Sequence, residues 1–248
     1  MIILSILFFI TAILYSSVGF GGGSTYLALL LIWDFPYYIF PVIALFCNII
    51  VVTGNSVNYI KAGNHNFKLL LPFLIGSIPS AFIGGTLIIE KEIFEILLFL
   101  VLSLAGFLLL INNKAYEDKK IVIKELNYFA SILIGSVLGL ISGLVGIGGG
   151  IFLSPILFLL KSDKPKNIVT TASLFILINS ISGVFGQLTK ENVINELTSY
   201  LPLFLVVLIG GLCGNYLNLK IFSNRTLVLI TSFLVIIVAF RMGFKIFI

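Results

Sequence analysis

Two glycine-rich segments carry the residues whose types and spacing could do chemistry. They are Gly19–Ser24 (GFGGGS) and Gly146–Ile151 (GIGGGI), and an apolar stretch follows each of them. Because glycine runs are poor in a continuous helix, each segment predicts an unwound break followed by a new helix. The first N–H groups of that helix have no partner within it, and glycine lets a ligand approach them closely. The chemistry indicated is the binding of a small anion by backbone dipoles.

Neutral polar side chains could assist these backbone groups. Away from their ends, the apolar runs contain no Asp, Glu or Lys, and Arg241 near the C-terminus is their only Arg. Since a formal charge is expensive at the bilayer centre, neutral donors suit such a site. We expect the substrate-binding residues to be Gly21, Gly22, Gly23, Ser24, Asn48, Gly148, Gly149, Gly150, Ser173, Asn179 and Gln187, with Pro155 shaping the second helix. The alternative for each side chain is a structural role, as a bond to its own helix or between two membrane helices.

The composition indicates the solvent around these elements. Of 248 residues, 59% are hydrophobic and only 10% are charged, and the mean hydropathy is +1.19. Soluble domains have about 45–50% apolar and about 25% charged residues. The sequence therefore predicts an all-α polytopic membrane protein surrounded by lipid, and excludes soluble enzymes, secreted disulfide scaffolds and disordered proteins. The net charge of +5 fits lysines in cytoplasmic loops and predicts no nucleic-acid partner.

The apolar runs fall into two similar halves. Repeat 1 (1–111) contains a broken hairpin at 1–33 and spans at 37–60, 67–89 and 93–111, and a charged linker follows at 112–126. Repeat 2 (127–248) contains a broken hairpin at 127–160 and spans at 168–188, 199–219 and 226–247. Each span has about 19–24 residues, enough to cross a hydrocarbon core of about 30 Å. The halves match in order at Pro36 and Pro165, Gly54 and Gly183, Asn58 and Gln187, and Gly84 and Gly214, which predicts an internal duplication.

The distribution of basic residues predicts the orientation of the halves. If each broken element enters and leaves on one side, 11 basic residues lie on one side and four on the other. If each broken element instead crossed the membrane completely, nine basic residues would lie on one side and six on the other. The positive-inside rule favours the arrangement with hairpins. We therefore expect the protein in the plasma or inner membrane, with the linker 112–126 in the cytoplasm. Three crossings per half then make the repeats inverted, which is typical of secondary transporters with a site near the midplane.

The second half resembles a known family. The GIGGG break at 146–150, followed by Pro155, Pro165 and the segment 171–174 (TASL), is similar to the sulfite exporter (TauE/SafE) family of membrane transporters, and the first half repeats the pattern weakly. The resemblance covers essentially the whole chain. It implies a pseudosymmetric carrier of sulfite, sulfoacetate or other sulfur-containing anions, with the glycine motifs at its centre. The first half lacks a match for Pro155, and Ala172 replaces the usual Thr of the family, which leaves Ser173 as the better candidate.

Two other function classes can be compared with this one. An intramembrane enzyme would need a nucleophile with a base, paired aspartates or a metal set, and the sequence has no HExxH, no GxSxG and no intramembrane Asp pair. We therefore expect no enzyme, no catalytic residues, no metal site and no cofactor. A passive anion channel could use the same helix N-termini and remains the alternative to a carrier working by alternating access. The sequence leaves open the anion, the direction of transport, the coupling ion and the oligomeric state.

Overall fold

The computed structural model describes residues 2–33, 35–111, 123–124, 126–190, 193, 197–218, 233, 236–237, 239–240 and 243–244. Its helices are α1 (Ile2–Val18), α2 (Gly23–Ile32), α3 (Phe40–Lys61), α4 (Phe67–Thr86), α5 (Lys91–Ile111), α6 (Tyr128–Val145), α7 (Gly150–Leu159), α8 (Pro165–Gln187) and α9 (Leu201–Asn218). Short 3₁₀ helices at Tyr37–Ile39 and Thr198–Tyr200 precede α3 and α9. The all-α prediction is confirmed for this part of the chain. Most of the predicted span 226–247 and of the linker 112–126 lies outside the described residues.

Five of these helical segments are long and apolar enough to cross a membrane. They are Tyr37–Lys61, Phe67–Thr86, Tyr128–Val145, Pro165–Gln187 and Thr198–Leu217. Large apolar side chains such as Ile75, Phe185 and Leu205 are exposed on their outer surfaces, as contact with lipid requires. Within the span predicted at 67–89, helix α4 ends at Thr86 after two glycines, and Leu87 is extended.

Asparagine and proline fix the starts of several helices. Asn66 caps α4 by accepting the N–H of Leu69 at 3.2 Å. Asn127 caps α6 by accepting the N–H of Phe129 at 2.9 Å and of Ala130 at 3.2 Å. Pro165 stands at the first position of α8, where its missing N–H costs no helical bond. These local signals end each loop and start the apolar helix that follows it.

Glycines bring neighbouring helices into backbone contact. In α6, Gly135 faces the backbone of Phe73 and Gly139 faces the backbone of Ser77, both in α4. A Cβ on either glycine would overlap a carbonyl oxygen of α4, so only glycine permits this approach. In α9, Gly214 lies in the same way against the carbonyl of Ile13 in α1. The pairs α4–α6 and α1–α9 are therefore packed through glycine.

The residues in contact reveal the direction of each helix. Residue numbers rise together in α4 and α6, in α1 and α9, in α3 and α9, and in α4 and α8, so each of these pairs is parallel. Helices α3 and α8 are antiparallel, since Ser56 contacts Ser173 while Leu45 faces Gly183. Helices α1, α3 and α9 thus run one way, and α4, α6 and α8 run the other way. Because α1 and α3 are parallel, α2 returns toward the face from which α1 starts.

The helix ends form two faces of different charge. On one of them, the N–H of Lys124 donates to the carbonyl oxygen of Lys161 at 3.0 Å, and Asn66 Nδ2 donates to Asp163 Oδ2 at 2.7 Å. We call this the lysine-rich face; it carries Lys61, Lys68, Lys124, Lys161, Lys164 and Lys166. The ends of α4 and α8 lie on the opposite face, which we call the cavity face; its described lysines are Lys91 and Lys190.

Candidate functional site

Both breaks end in a glycine with left-handed backbone geometry. Gly22, with φ of 88°, immediately precedes α2, and Gly149, with φ of 73°, immediately precedes α7. Gly146 and Gly148 also have positive φ, 93° and 85°. A side chain in this conformation costs roughly 1–2 kcal/mol, so glycine is what permits the chain to turn abruptly into each short helix.

Asn48, from the buried part of α3, connects the two breaks. Its Oδ1 accepts a hydrogen bond from the N–H of Gly23, the first residue of α2, at a distance of 2.9 Å. Its Nδ2 lies 3.4 Å from the carbonyl oxygen of Gly146 in the second break. The two breaks also approach each other closely, because a Cβ on Gly23 would lie 2.9 Å from the carbonyl oxygen of Gly146. One neutral amide therefore holds the start of α2 beside the end of α6.

In the second break, the backbone of Gly148 lies close to polar side-chain atoms of α3 and α8. A Cβ placed on Gly148 would lie 2.8 Å from Asn48 Nδ2 and 3.2 Å from Ser180 Oγ. Ser180 is fully buried, and its hydroxyl has no hydrogen-bond partner among the described residues. A buried hydroxyl of this kind costs free energy unless another group bonds to it. Ser180 therefore presents an unused donor and acceptor beside the start of α7.

A very small cavity lies between the breaks. It has a volume of about 10 Å³ and is lined by Tyr15, Phe20, Gly21, Gly22, Gly23, Ser24, Ile147, Ile151 and Ile176. Tyr15 Oη lies 3.2 Å from Ser24 Oγ and 2.7 Å from Thr25 Oγ1. This volume is that of about one water molecule, so the breaks are closed around each other.

A larger cavity opens on the cavity face. Its volume is about 420 Å³, and its lining residues come from the starts of α3 and α5 and the ends of α4, α6 and α8. Lys190 lines it and is half-buried, and its Nζ donates to Gln187 Oε1 at 2.9 Å. Burial lowers the pKa of Lys190 to about 8. Pro41 and Leu144 separate this cavity from Gly146 in the second break.

Comparison with known proteins identifies the family. A family model described as "Sulfite exporter TauE/SafE" matches residues 4–242, nearly the whole chain. The chain belongs to the TauE/SafE family.

Relatives with curated names extend over similar lengths. This TauE/SafE protein is 27% identical over 238 residues to the probable membrane transporter protein y4hK of Sinorhizobium fredii, and the match covers 94% of each chain. It is 29% identical to the probable membrane transporter protein YunE of Bacillus subtilis, over 98% of this chain and 97% of that one. It is 30% identical to the probable membrane transporter protein MJ0441 of Methanocaldococcus jannaschii, over 88% and 85%. No solved structure matches significantly. With its five candidate spans, the chain is a multi-pass membrane transporter.

The residues predicted to bind substrate in this TauE/SafE protein fall in three places. Gly21, Gly22, Gly23, Ser24, Asn48, Gly148, Gly149 and Gly150 lie at the two breaks. Ser173 and Asn179 are buried in α8, where Ser173 Oγ contacts Ser56 Oγ at 3.2 Å and Asn179 Nδ2 donates to the carbonyl of Phe175 in its own helix. Gln187 lies at the end of α8, where its Nε2 donates to the carbonyl of Gly143 at 2.7 Å.

Three residues near the breaks or the larger cavity are missing from that prediction. Tyr15 lines the small cavity, Ser180 faces Gly148, and Lys190 lines the larger cavity. A helical projection of α8 could have found Ser180, because it lies one turn after Ile176, which packs on Gly148 and Gly150. Among the described residues, no cluster of three His, Cys, Asp or Glu side chains could hold a metal.

Proposed function

We propose that this protein carries small anions across the membrane by alternating access and binds them between the two glycine breaks. The observation that carries the proposal is the double contact of Asn48 with Gly23 and Gly146. The starts of α2 and α7 both flank this point. Their N–H groups form the positive ends of two helix dipoles, and such ends bind anions without a charged side chain.

Asn48 serves as an internal substitute for the substrate in this mechanism. Its Oδ1 occupies the N–H of Gly23, the position that an anion oxygen would take. When the breaks separate, the anion replaces that amide oxygen, and Ser24 and Ser180 supply further neutral donors. The cavity of about 10 Å³ must widen before the anion binds, because a sulfur oxyanion is larger than one water molecule.

The helix directions support two inverted repeats as the architecture of this carrier. Helix α1 corresponds to α6, α3 to α8 and α4 to α9, and the two members of each pair run in opposite directions. The contacts between helices follow the same correspondence. The contact of α1 with α9 corresponds to that of α6 with α4, and the contact of α3 with α9 corresponds to that of α8 with α4. Rocking one repeat against the other would expose the breaks to each side in turn.

Sulfur oxyanions and sulfonates are the proposed substrates. The name of the family model, "Sulfite exporter", supports this class. Three oxygens around one sulfur could bond the N–H groups of both breaks at once. A passive channel is not favoured, since the named relatives are described as transporters and the breaks are closed around a water-sized cavity. By the positive-inside rule, we place the lysine-rich face and the linker 112–126 in the cytoplasm of a cell bounded by this membrane.

Counterflow in proteoliposomes tests the proposal. Vesicles holding the purified protein are loaded with unlabelled sulfite, thiosulfate, sulfoacetate or taurine, and uptake of the labelled compound is followed with chloride as the control. We expect saturable uptake of one sulfur anion that is accelerated by the same anion inside. Linear flux without such acceleration would contradict a carrier, and no flux of any of the four would contradict the sulfur assignment.

A further inference from the structure

The cavity of about 420 Å³ lies close to the second break. Pro41 and Leu144 form its inner wall, and Leu144 is two residues before Gly146. A Cβ on Gly146 would lie 2.6 Å from Pro41 Cα, so this proline lies directly between the cavity and the break. On the other side of Gly146, its carbonyl oxygen contacts Asn48 Nδ2. Pro41 and Gly146 therefore lie in turn between the cavity and the Asn48 amide that joins the breaks.

One cation is held inside this mostly apolar cavity. The other lining residues are apolar or neutral, and among those described only Lys190 carries a formal charge at neutral pH. Tyr37 and Tyr38 are the other titratable groups that line it. Removing an ammonium group from water is costly unless a partner compensates for the lost hydration. A half-buried Lys190 therefore favours the presence of an anion in the cavity.

Gln187 determines where the ammonium group lies. This side chain is fully buried, and its Nε2 donates to the carbonyl oxygen of Gly143 at 2.7 Å. With the amide nitrogen fixed in that way, Oε1 accepts Lys190 Nζ at 2.9 Å. An ammonium group has three donors, and Gln187 uses one of them. Among the described residues, the ammonium group makes no other hydrogen bond, which leaves two donors for an anion that enters from the cavity face.

We propose that this cavity is a second anion-binding site, in which Lys190, positioned by Gln187, binds the sulfonate or sulfite group of the substrate. Passage from this site to the breaks rests on the proposed function, whereas anion binding at Lys190 does not. The site increases the local concentration of anions beside the wall formed by Pro41 and Leu144. It acts only on anions presented from the cavity face.

Transport kinetics test the contribution of Lys190. Lys190→Gln removes the charge, Lys190→Arg keeps it, and Lys91→Gln removes an exposed charge from the same face but outside the cavity. In proteoliposomes, we expect Lys190→Gln to raise the half-saturation concentration of sulfoacetate about tenfold with little change in maximal rate. Lys190→Arg and Lys91→Gln should remain close to wild type. An unchanged half-saturation concentration in Lys190→Gln would overturn the proposal.

Chemical protection tests binding without transport. The purified protein is acetylated at pH 7.5 with a limiting amine-reactive ester, and modification of Lys190 and Lys91 is compared by mass spectrometry with and without sulfoacetate. We expect sulfoacetate to slow modification of Lys190 severalfold and to leave Lys91 unaffected. Equal modification of Lys190 in both samples would overturn the second site, even if the protein transports sulfoacetate. Protection without transport would uphold the site while contradicting the proposed function.

Discussion

Asn48 and Gly23 form the contact on which the two glycine breaks converge: Asn48 Oδ1 accepts the N–H of Gly23 at 2.9 Å. The amide nitrogen of the same side chain lies 3.4 Å from the carbonyl oxygen of Gly146. A neutral amide suits this position because it can both accept from one break and donate to the other. In the mechanism that we propose, this contact breaks and re-forms as the anion binds and leaves.

Replacing Asn48 by Asp tests whether an anion binds where Oδ1 lies. The carboxylate could still accept the N–H of Gly23, but its charge would repel an incoming anion and its second oxygen could not donate to Gly146. We expect Asn48→Asp to reduce sulfoacetate exchange more than tenfold in proteoliposomes. Asn64→Asp, in the loop between α3 and α4, makes the same chemical change away from the breaks and should leave exchange unaltered. Exchange at the wild-type rate in Asn48→Asp would show that the anion does not approach this residue.

Ser180 allows substrate binding to be separated from stability. Its buried hydroxyl has no described partner, so Ser180→Ala removes a desolvated group without breaking a described bond. We expect the thermal unfolding midpoint in detergent to stay within experimental error of wild type, while the half-saturation concentration for sulfoacetate rises about threefold to tenfold. The hydroxyl of Ser77 is also buried without a described partner, but Ser77 belongs to α4, where its backbone packs against Gly139 of α6. Ser77→Ala should change neither quantity, and equal behaviour of the two variants would remove Ser180 from the site.

The packing of α1 on α9 predicts opposite results for two neighbouring glycines. A Cβ on Gly214 would overlap the carbonyl oxygen of Ile13, whereas a Cβ on Gly211 would lie an ordinary 3.5 Å from Val51. We expect Gly214→Ala to destabilise the protein by about 1–3 kcal/mol. Gly211→Ala should be neutral or stabilise by up to about 1 kcal/mol, since alanine favours the helix. Thermal unfolding of the two purified variants checks this, and a Gly214→Ala midpoint at or above that of Gly211→Ala would argue against the described packing.

The second anion site predicts a dependence of transport on pH. Because burial lowers the pKa of Lys190 to about 8, its ammonium is charged below that pH and neutral above it. Raising the pH from about 7 to about 9 should therefore raise the half-saturation concentration of sulfoacetate presented from the cavity face by about threefold to tenfold. Sulfoacetate stays ionised over this range, and Tyr37 and Tyr38 are the other titratable groups that line the cavity. Lys190→Arg should abolish the dependence; if the same dependence persisted in that variant, another group would be responsible.

The positions of most helices could be predicted from the sequence, whereas the arrangement of the candidate site could be predicted only in part. Glycine runs and apolar lengths predict where helices stop, so α1 ends at Val18 and α2 begins at Gly23, within the break expected from GFGGGS. Hydrophobicity suggested a longer helix at the end of α4, but Leu87 is extended, and Leu87, Ile88 and Ile89 line the larger cavity outside that helix. Hydrophobicity alone does not distinguish a helical residue from an extended one.

The neighbours of each side chain depend on how its helix is rotated about its axis and shifted along it, and the spacing of residues in the sequence does not determine either. Asn48 was among the predicted residues, but only the packing of α3 on both breaks revealed that it connects them. Gln187 was expected to bind substrate, and in the structure its side chain accepts a hydrogen bond from Lys190, which lines the larger cavity. Lys190 itself resembles any loop lysine in the sequence. The role proposed for it depends on the ends of α4 and α8 meeting around one cavity, a contact between residues about 100 positions apart.

Counterflow by a pair of glycine variants tests the central claim most directly. Gly149 and Gly63 both have φ of 73°, so alanine introduces similar backbone strain at either position. A Cβ on Gly149 would also lie 2.9 Å from Phe175 at the second break, whereas a Cβ on Gly63 would meet nothing within 4 Å. We predict saturable, trans-stimulated exchange of sulfoacetate or sulfite by the wild type and by Gly63→Ala, and at least a tenfold loss in Gly149→Ala reconstituted at equal amounts. Wild-type exchange by Gly149→Ala would contradict a substrate site formed by the glycine breaks.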